Sequence, residues 1–446
     1  MSNVINNNIN SNAFLLSLFE CAIDEALPYG HMAKYLPDDK TGKAIVIGAG
    51  KAAASMAAEL ETVWQGELQG VVVTRYGHTV AANNPHAVSD SSKRASTSSK
   101  IDIIEAAHPV PDAAGQAVGE RILSLVSDLN EDDVVICLMS GGGSALLSLP
   151  AEGLTLSDKQ TINKALLKSG AAIDEMNCVR KHLSAIKGGR LAKAVHPAKL
   201  ISLAISDVPG DDTSVIASGP TVADSTTRFD ALAILERYDI EIPTAVFRWL
   251  NNPKSETVKA NDPCLANSDI YIIATPQSAL EAAANKAIQK GIPAYVLSDC
   301  IEGEARDVAK VHAAIAKQIA EKGQPFKTPC VLLSGGETTV TVKGTGRGGR
   351  NSEFLLSLYN ELQGHPQIHA LAGDTDGIDG IEDNAGAFIT PDSFTRGRQL
   401  GLNPQHYLDN NDGYHFFSAL ESLVITGPTL TNVNDFRALL ILPAKE

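Results

Sequence analysis

The sequence predicts an α/β protein of two domains, built from Rossmann-like parallel or mixed sheets flanked by helices, with the active site in the interdomain cleft. Three observations lead there. At 446 residues with 44% apolar side chains, the chain is too long for one ordinary core and apolar enough to fill two. Short apolar runs rich in β-formers alternate with alanine-rich stretches of helical period, the pattern of α/β layers. The runs end in glycine-rich or acidic loops, and in open α/β sheets such loops gather at the carboxyl edge, where ligands bind.

The runs are AIVI (44–47), GVVV (70–73), VVICLM (134–139), LISLAI (200–205), YIIA (271–274), AYVL (294–297) and CVLL (330–333), with a weaker HALA at 369–372. Helical stretches at 51–64, 114–128, 276–290 and 304–322 flank them. The polar, proline-containing NNPKSETVKANDP (251–263) is the expected linker. It would divide an N-terminal Rossmann-like domain, 1–250, from a C-terminal α/β domain, 264–446.

Composition excludes some partners. With 37 Lys and Arg against 52 Asp and Glu, the net charge is -15 and the pI about 5.2, which argues against nucleic acid or an anionic membrane. Any anion must be caught locally. The six cysteines are scattered without zinc-like spacing, as in a reduced chain. The opening MSNVINNNINSN lacks the basic start and apolar run of a signal peptide, and no apolar stretch is long enough to span a bilayer. The expectation is a cytoplasmic protein; assembly into a homo-oligomer is left open.

GAGKAA follows the first run. Gly48, Gly50 and Ala53 satisfy the loose G-x-G-x-x-A fingerprint of a dinucleotide site, but the acidic residue expected after the next strand is replaced by Arg75, which suits a 2′-phosphate. Lys51 stands against the positive end of a helix dipole, which favours a functional lysine, the alternative being a solvated surface one. SGGGS (Ser140, Gly141, Gly142, Gly143, Ser144) lets the backbone approach a ligand and aim several N–H groups at one anion, although a tight turn would also use glycines. SGGE (Ser334, Gly335, Gly336, Glu337) repeats the design with an added carboxylate. No Walker loop occurs.

Asp207 in SDVPGDD, and Asp374 and Asp376 in AGDTDG, stand just past strand ends. Such oxygens suit Mg²⁺, which needs only one or two carboxylates beside substrate phosphates; for any single Asp an Asx-turn is an equal reading. Asp207 is also placed to orient a substrate hydroxyl. In KGTGRGGRN (343–351), Lys343, Arg347 and Arg350 read as a flexible positive patch that closes over an anion, the alternative being a solvated hairpin tip.

Together GAGKAA, LMSGGGSALLSLP, KHLSAIKGGRLA (181–192), SDVPGDDTSVIASGPTVAD (206–224), LLSGGETTV, GRGGRNSEF, AGDTDGIDG and TGPTLTNVNDF (426–436) resemble the class II glycerate kinases, glycerate 2-kinases whose C-terminal half carries the MOFRL domain. The resemblance runs in order over nearly the whole chain. It implies transfer of the γ-phosphoryl of ATP to the 2-hydroxyl of D-glycerate, giving 2-phosphoglycerate and ADP with Mg²⁺. It places the family's functional lysine on Lys51 and its functional arginine on Arg350. Where Leu430 stands, the family pattern has a small residue, usually glycine. Phosphoryl transfer asks mainly for positioning and charge neutralisation, which a lysine, an arginine and loop amides supply.

Two other classes stay open. An NAD(P)H-dependent hydroxypyruvate reductase, a name also given to family members, would use residues 48–53 with Arg75, but leaves SGGGS, SGGE and the aspartates without work. A non-catalytic nucleotide-binding module would not need Lys51, Arg350 and the aspartates together.

Overall fold

Apolar runs this short can be buried only as strands covered by helices on their faces. In the computed structural model, which describes residues 10–37, 42–79 and 101–444, all eight runs are strands. The opening segment read above lies, through residue 9, outside the described residues. The chain forms two compact units: Leu27–Ile273, and Ala274–Glu446 joined by the helix Ser11–Ala26.

The Leu27–Ile273 unit carries strands β1 (Ala44–Ala49), β2 (Gln69–Arg75), β3 (Ile101–Ala106), β4 (Val134–Met139), β5 (Lys199–Ile205) and β6 (Ser268–Ala274), in the order β3-β2-β1-β4-β5-β6. The pairs β1–β2, β1–β4, β2–β3 and β4–β5 are parallel. This is the order of the doubly wound dinucleotide folds, and it reverses between β1 and β4, where a ligand crevice opens. Both of those strands are buried throughout. After β4 the chain adds the helices Leu156–Ser169 and Ile173–His182, and after β5 Arg228–Arg237 and Thr244–Leu250; together they enclose a second core around Leu166, Val179, Leu235 and Leu250.

The expected linker is part of this unit. Ser255 and Val258 are buried, the Arg190 guanidinium donates to the Ser255 carbonyl (2.6 Å), and the Val258 N–H donates to the Gly188 carbonyl (3.0 Å). The division falls after residue 273 instead, because β6 closes the edge of the first sheet.

The second unit holds β7 (Ala294–Ser298), β8 (Gly303–Glu304), β9 (Cys330–Gly336), β10 (Thr338–Thr339), β11 (Ile368–Asp374), β12 (Gly386–Ile389), β13 (Leu423–Val424) and β14 (Asp435–Ile441). Its main sheet runs β13-β12-β11-β14-β9-β7, with β7–β9 parallel and the other pairs antiparallel, so it is mixed. The first helix belongs here rather than to an N-terminal domain. It buries Phe14, Leu15, Leu18, Phe19, Ala22 and Ile23, one apolar face at helical spacing. Its Phe19 ring lies 5.5 Å from that of Phe436, and its Ala26 carbonyl accepts from Thr431 Oγ1 at 2.6 Å.

Leu430, where the resemblance leads to the expectation of a small residue, adopts the left-handed φ of 64° and is 2% exposed. The conformation costs about 1–2 kcal/mol for a side-chain-bearing residue, whereas deleting a buried leucine side chain costs about 2–5 kcal/mol. Leu430→Gly is therefore expected to lower Tm by several degrees in thermal denaturation. A higher Tm would show that backbone strain outweighs the buried side chain.

Candidate functional site

The carboxyl ends of β1 and β4 lie side by side, and two glycines let them close. A Cβ on Gly48 would stand 2.2 Å from the Leu138 carbonyl oxygen, and one on Gly50 2.1 Å from Ser140 Oγ. Hydrogen bonds then tie the two following loops together. The Lys51 N–H donates to the Gly141 carbonyl (2.9 Å), the Ala52 N–H to Ser140 Oγ (2.9 Å), and the Ser140 N–H to the Ala49 carbonyl (3.1 Å). Gly142 needs its φ of 79°. The N–H groups of Gly141 and Gly142 have no acceptor among the described residues. A Cβ on Gly142 would lie 3.1 Å from His108 Cδ2 and 3.5 Å from Lys51 Cγ, so both side chains come up to this loop.

The other end of SGGGS meets the segment after β5. Ser144 Oγ is 2.7 Å from Ser218 Oγ, in a turn where Ala217 and Ser218 hold left-handed φ values of 50° and 63°. Lys187, only 3% exposed, donates to Ser144 Oγ at 2.8 Å and to the Ser144 carbonyl. Asp207 lies half-buried just beyond β5.

Beside this loop is a cavity of about 230 Å³ whose lining includes His108, Ser144, Lys159, Asn163, Arg180 and Lys187. Arg180 Nε donates to Asn163 Oδ1 at 2.7 Å, and Lys159 Nζ reaches only the Leu149 carbonyl, at 3.5 Å. None of the three cations has an acidic partner among the described residues. Burial and the neighbouring Arg180 push Lys159 down to about 7. Burial, then Lys159 and Arg180, push Lys187 well below the ordinary lysine value. Sequence reasoning missed all three. Lys187 was inside the quoted KHLSAIKGGRLA, but each cation reads singly as an ordinary helix or turn residue, and only the fold brings them to one cavity.

In the second unit the antiparallel β14 starts where β9 and β11 end, so Gly336, Asp435 and Asp374 form one row across the sheet. Arg350 opens the helix Arg350–Leu362 above that row. Its Nε donates to Asp435 (2.7 Å), one terminal nitrogen to Glu337 (2.6 Å) and the other to Asp374 (2.8 Å). Asp435 also accepts from the fully buried Arg437 and from Asn351 Nδ2 (2.8 Å). Burial alone would raise the Asp435 carboxyl, but Arg350 and Arg437 hold it below its usual range. Burial likewise opposes the Arg350 charge, yet Asp435, Asp374 and Glu337 outweigh it and hold that guanidinium well above its usual value. Asp379 caps the helix by accepting the Asn351 and Ser352 N–H groups, at 2.9 and 2.8 Å.

Several expectations change accordingly. The 343–349 loop is no flexible patch: the Lys343 and Gly344 N–H groups donate to Asn411 Oδ1 (2.8 and 3.0 Å), and the Arg347 N–H to Asp412 Oδ1 (2.9 Å). Arg347 is paired with Glu382. Ser334, Gly335 and Gly336 are buried residues of β9 rather than an anion loop. Ser334 Oγ is held by His312 Nε2 (2.9 Å), and a Cβ on Gly336 would meet the Ile301 nitrogen at 2.3 Å. Asp374 Oδ1 accepts the Asp376 N–H (3.0 Å) and Asp376 Oδ1 the Ile378 N–H (2.9 Å), so both make Asx-turns. With the remaining Asp374 oxygen on Arg350, this donor set does not fit a resident Mg²⁺ site. Among the described residues, no three His, Cys, Asp or Glu side chains are grouped to hold a metal.

Residues 14–251 match a family model described as a domain of unknown function (DUF4147), and residues 330–435 match the MOFRL family. The D-glycerate 2-kinase of Thermotoga maritima is 41% identical to this chain, over 94% of it and 96% of the relative. The chain belongs to the MOFRL-bearing glycerate kinase family. A crystal structure of glycerate kinase from Thermotoga maritima matches the fold with a TM-score of 0.85 at 40% identity, over 96% of this chain and 99% of that one. An Agrobacterium vitis protein with the provisional name hydroxypyruvate reductase is 49% identical over 98% of this chain and 95% of the relative. Among the described residues no helix is long and apolar enough to cross a membrane, and the six cysteines are free thiols.

The depressed Lys159 has a signature in stability. Between about 7 and the ordinary value of 10.5 the unfolded chain keeps this lysine protonated while the folded chain does not, so the unfolded state binds more protons and stability rises with pH. Comparing Tm at pH 7 and pH 9 without ligand should show wild type gaining on Lys159→Met at the higher pH. A constant difference between the two proteins would show that Lys159 titrates normally.

Proposed function

We propose that this chain is an ATP-dependent glycerate 2-kinase, moving the γ-phosphoryl of ATP to the 2-hydroxyl of D-glycerate in the cytoplasm. The observation that carries the reading is the cationic loop at the switch point of the first sheet. There Lys51 and the Gly141 and Gly142 amides converge with no described acidic partner at those amides, on a chain whose relatives include named glycerate 2-kinases. Lys51 and the SGGGS amides neutralise the transferring phosphoryl oxygens, the main demand of this chemistry. Asp207, at the end of β5, orients the attacking hydroxyl.

Arg350 uses three of its five N–H groups on carboxylates, which leaves two for a ligand. Around it Arg350 and Arg437 face Glu337, Asp374 and Asp435, two positive charges against three negative, an excess of one negative charge. Such a site suits a nucleotide that arrives carrying its own cation better than a bare anion. Mg²⁺ is accordingly assigned to the substrate, as the ATP complex.

The hydroxypyruvate reductase reading rests on the name carried by the Agrobacterium vitis relative. Against it, the space beside Gly50, which in a dinucleotide fingerprint admits the pyrophosphate, is taken by Ser140.

The deciding experiment incubates the protein with ATP, Mg²⁺ and D-glycerate and identifies the product by NMR; 2-phosphoglycerate and ADP are expected. NADPH oxidation by hydroxypyruvate with no ADP formed would overturn the assignment. EDTA should abolish turnover while leaving the Tm of the ligand-free protein unchanged, because the metal comes with the nucleotide; a large drop in Tm would reveal a resident ion. Lys51→Met should lower kcat/KM roughly 10²-fold or more without loss of Tm. Arg350→Lys, which cannot reach three carboxylates in one plane, should lower both Tm and kcat; near wild-type kinetics would remove Arg350 from the machinery.

A further inference from the structure

The cavity beside SGGGS is lined by three basic side chains, and none of them has an acidic partner among the described residues. Lys187 is 3% exposed, and its ammonium is anchored on Ser144. Arg180 is oriented by Asn163, with its Nη1 3.4 Å from Asn177 Oδ1. Lys159 comes from the same helix as Asn163. Elsewhere the chain pairs its buried cations: Lys181 meets Asp224 at 3.2 Å, and Arg437 meets Asp435. Holding like charges together without counter-ions costs stability and is ordinarily avoided. A group of three therefore points to a charge that comes from outside.

The cavity also limits what that charge can be. At about 230 Å³ it lies below the roughly 300–1,000 Å³ typical of pockets for drug-sized ligands, a size that suits a small acid. Its lining brings Gly142 and Ser144 of the glycine loop together with Arg180 and the apolar Leu166 and Val179. A short acid with its charged head among the cations and its reacting end towards the loop matches this distribution.

We infer that the cavity lined by Lys159, Arg180 and Lys187 is the seat of the small hydroxy-acid substrate, its carboxylate held by Lys159 and Arg180 while its hydroxyl faces Lys187 and SGGGS. The identity of the acid rests on the kinase reading above; the anion site itself does not. The planar guanidinium of Arg180 matches a carboxylate with two parallel hydrogen bonds. Lys187, fixed on the loop, lies where a newly added phosphate would be. Phosphoryl transfer adds nearly two negative charges to an acid that enters with one, and the more highly charged product draws the two depressed lysines further towards their protonated form. The product is thereby better neutralised than the substrate, and product inhibition follows.

The test is calorimetric and kinetic, on the full-length protein. D-glycerate and 2-phosphoglycerate are titrated without ATP into wild type, Lys159→Met and Arg180→Gln, and KM values for D-glycerate and ATP are measured for each. Expected are tighter binding of 2-phosphoglycerate than of D-glycerate by wild type, and at least about tenfold weaker binding of both acids in each variant, the scale of one lost charge-assisted contact. KM for D-glycerate should rise while KM for ATP stays within about twofold. Tm should not fall in Lys159→Met, because a buried amine with no acidic partner among the described residues is replaced by an apolar side chain; a purely structural lysine would lower it. Unchanged acid binding, or a shift in the ATP KM instead, would overturn the inference even if wild type phosphorylates glycerate. If wild type makes no phosphoglycerate, the kinase reading fails separately, and loss of 2-phosphoglycerate binding in the variants still decides for the anion site, its retention against it.

Discussion

One carboxylate organises the second unit. Asp435 lies at the start of β14 between two guanidiniums, with Arg350 on one oxygen and Arg437 on the other, and Asn351 and Thr338 complete its shell. A buried ion of this kind is tolerable only while every partner is in place, since removing one leaves the others desolvated and uncompensated. Through it the ends of β9, β11 and β14 are held in one row. The same contact fixes the first residue of the helix Arg350–Leu362 and aims the Arg350 side chain, which Glu337 and Asp374 then complete. The position of Arg350 is thus a consequence of Asp435 more than of the glycine-rich loop before it.

The first unit follows the opposite electrostatic rule. Among the described residues no carboxylate lines the cavity of Lys159, Arg180 and Lys187, and burial together with their mutual repulsion holds the two lysines below the ordinary lysine value. A ligand that binds only the folded state stabilises it by mass action, and an anion in this cavity would also draw the two lysines back to their protonated form. The two units therefore differ in electrostatics: carboxylates outnumber guanidiniums around Arg350, whereas basic side chains line the cavity beside SGGGS.

Most strands were legible because a strand buried on both faces must be written as a continuous apolar run, as in VVICLM. β14 was not, because DFRALLI contains an arginine. Arg437 is fully buried and reads as a strand residue only once Asp435 is known to neutralise it. β3, written IDIIEA, exposes Asp102 at the edge of its sheet and so lacks a run. The polar stretch 251–263 looked like a linker because its burial depends on backbone bonds to Arg190 and Gly188, which leave no mark on composition. Among the site residues, Lys51 was visible from its conflict with the helix dipole. The cavity cations were not, since their meaning lies in having no carboxylate beside them among the described residues, which only the fold reveals.

The glycines show how one pattern can carry two physical meanings. In GAGKAA the spacing satisfies a dinucleotide fingerprint, yet Gly48 and Gly50 are required here because Leu138 and Ser140 of the neighbouring strand end press against them. The room a pyrophosphate would use above β1 is filled by protein. The backbone approach to a ligand moves one strand over, to Gly141 and Gly142, whose amides have no acceptor among the described residues and whose neighbour is the Lys51 side chain. Lys51 and the positive end of the helix Ala53–Val63 would repel each other in isolation. An anion bound between them and the Gly141–Gly142 amides turns that repulsion into a shared attraction, and the wide spread of charge on a transferring phosphoryl group makes it the ligand for which such a convergence does most.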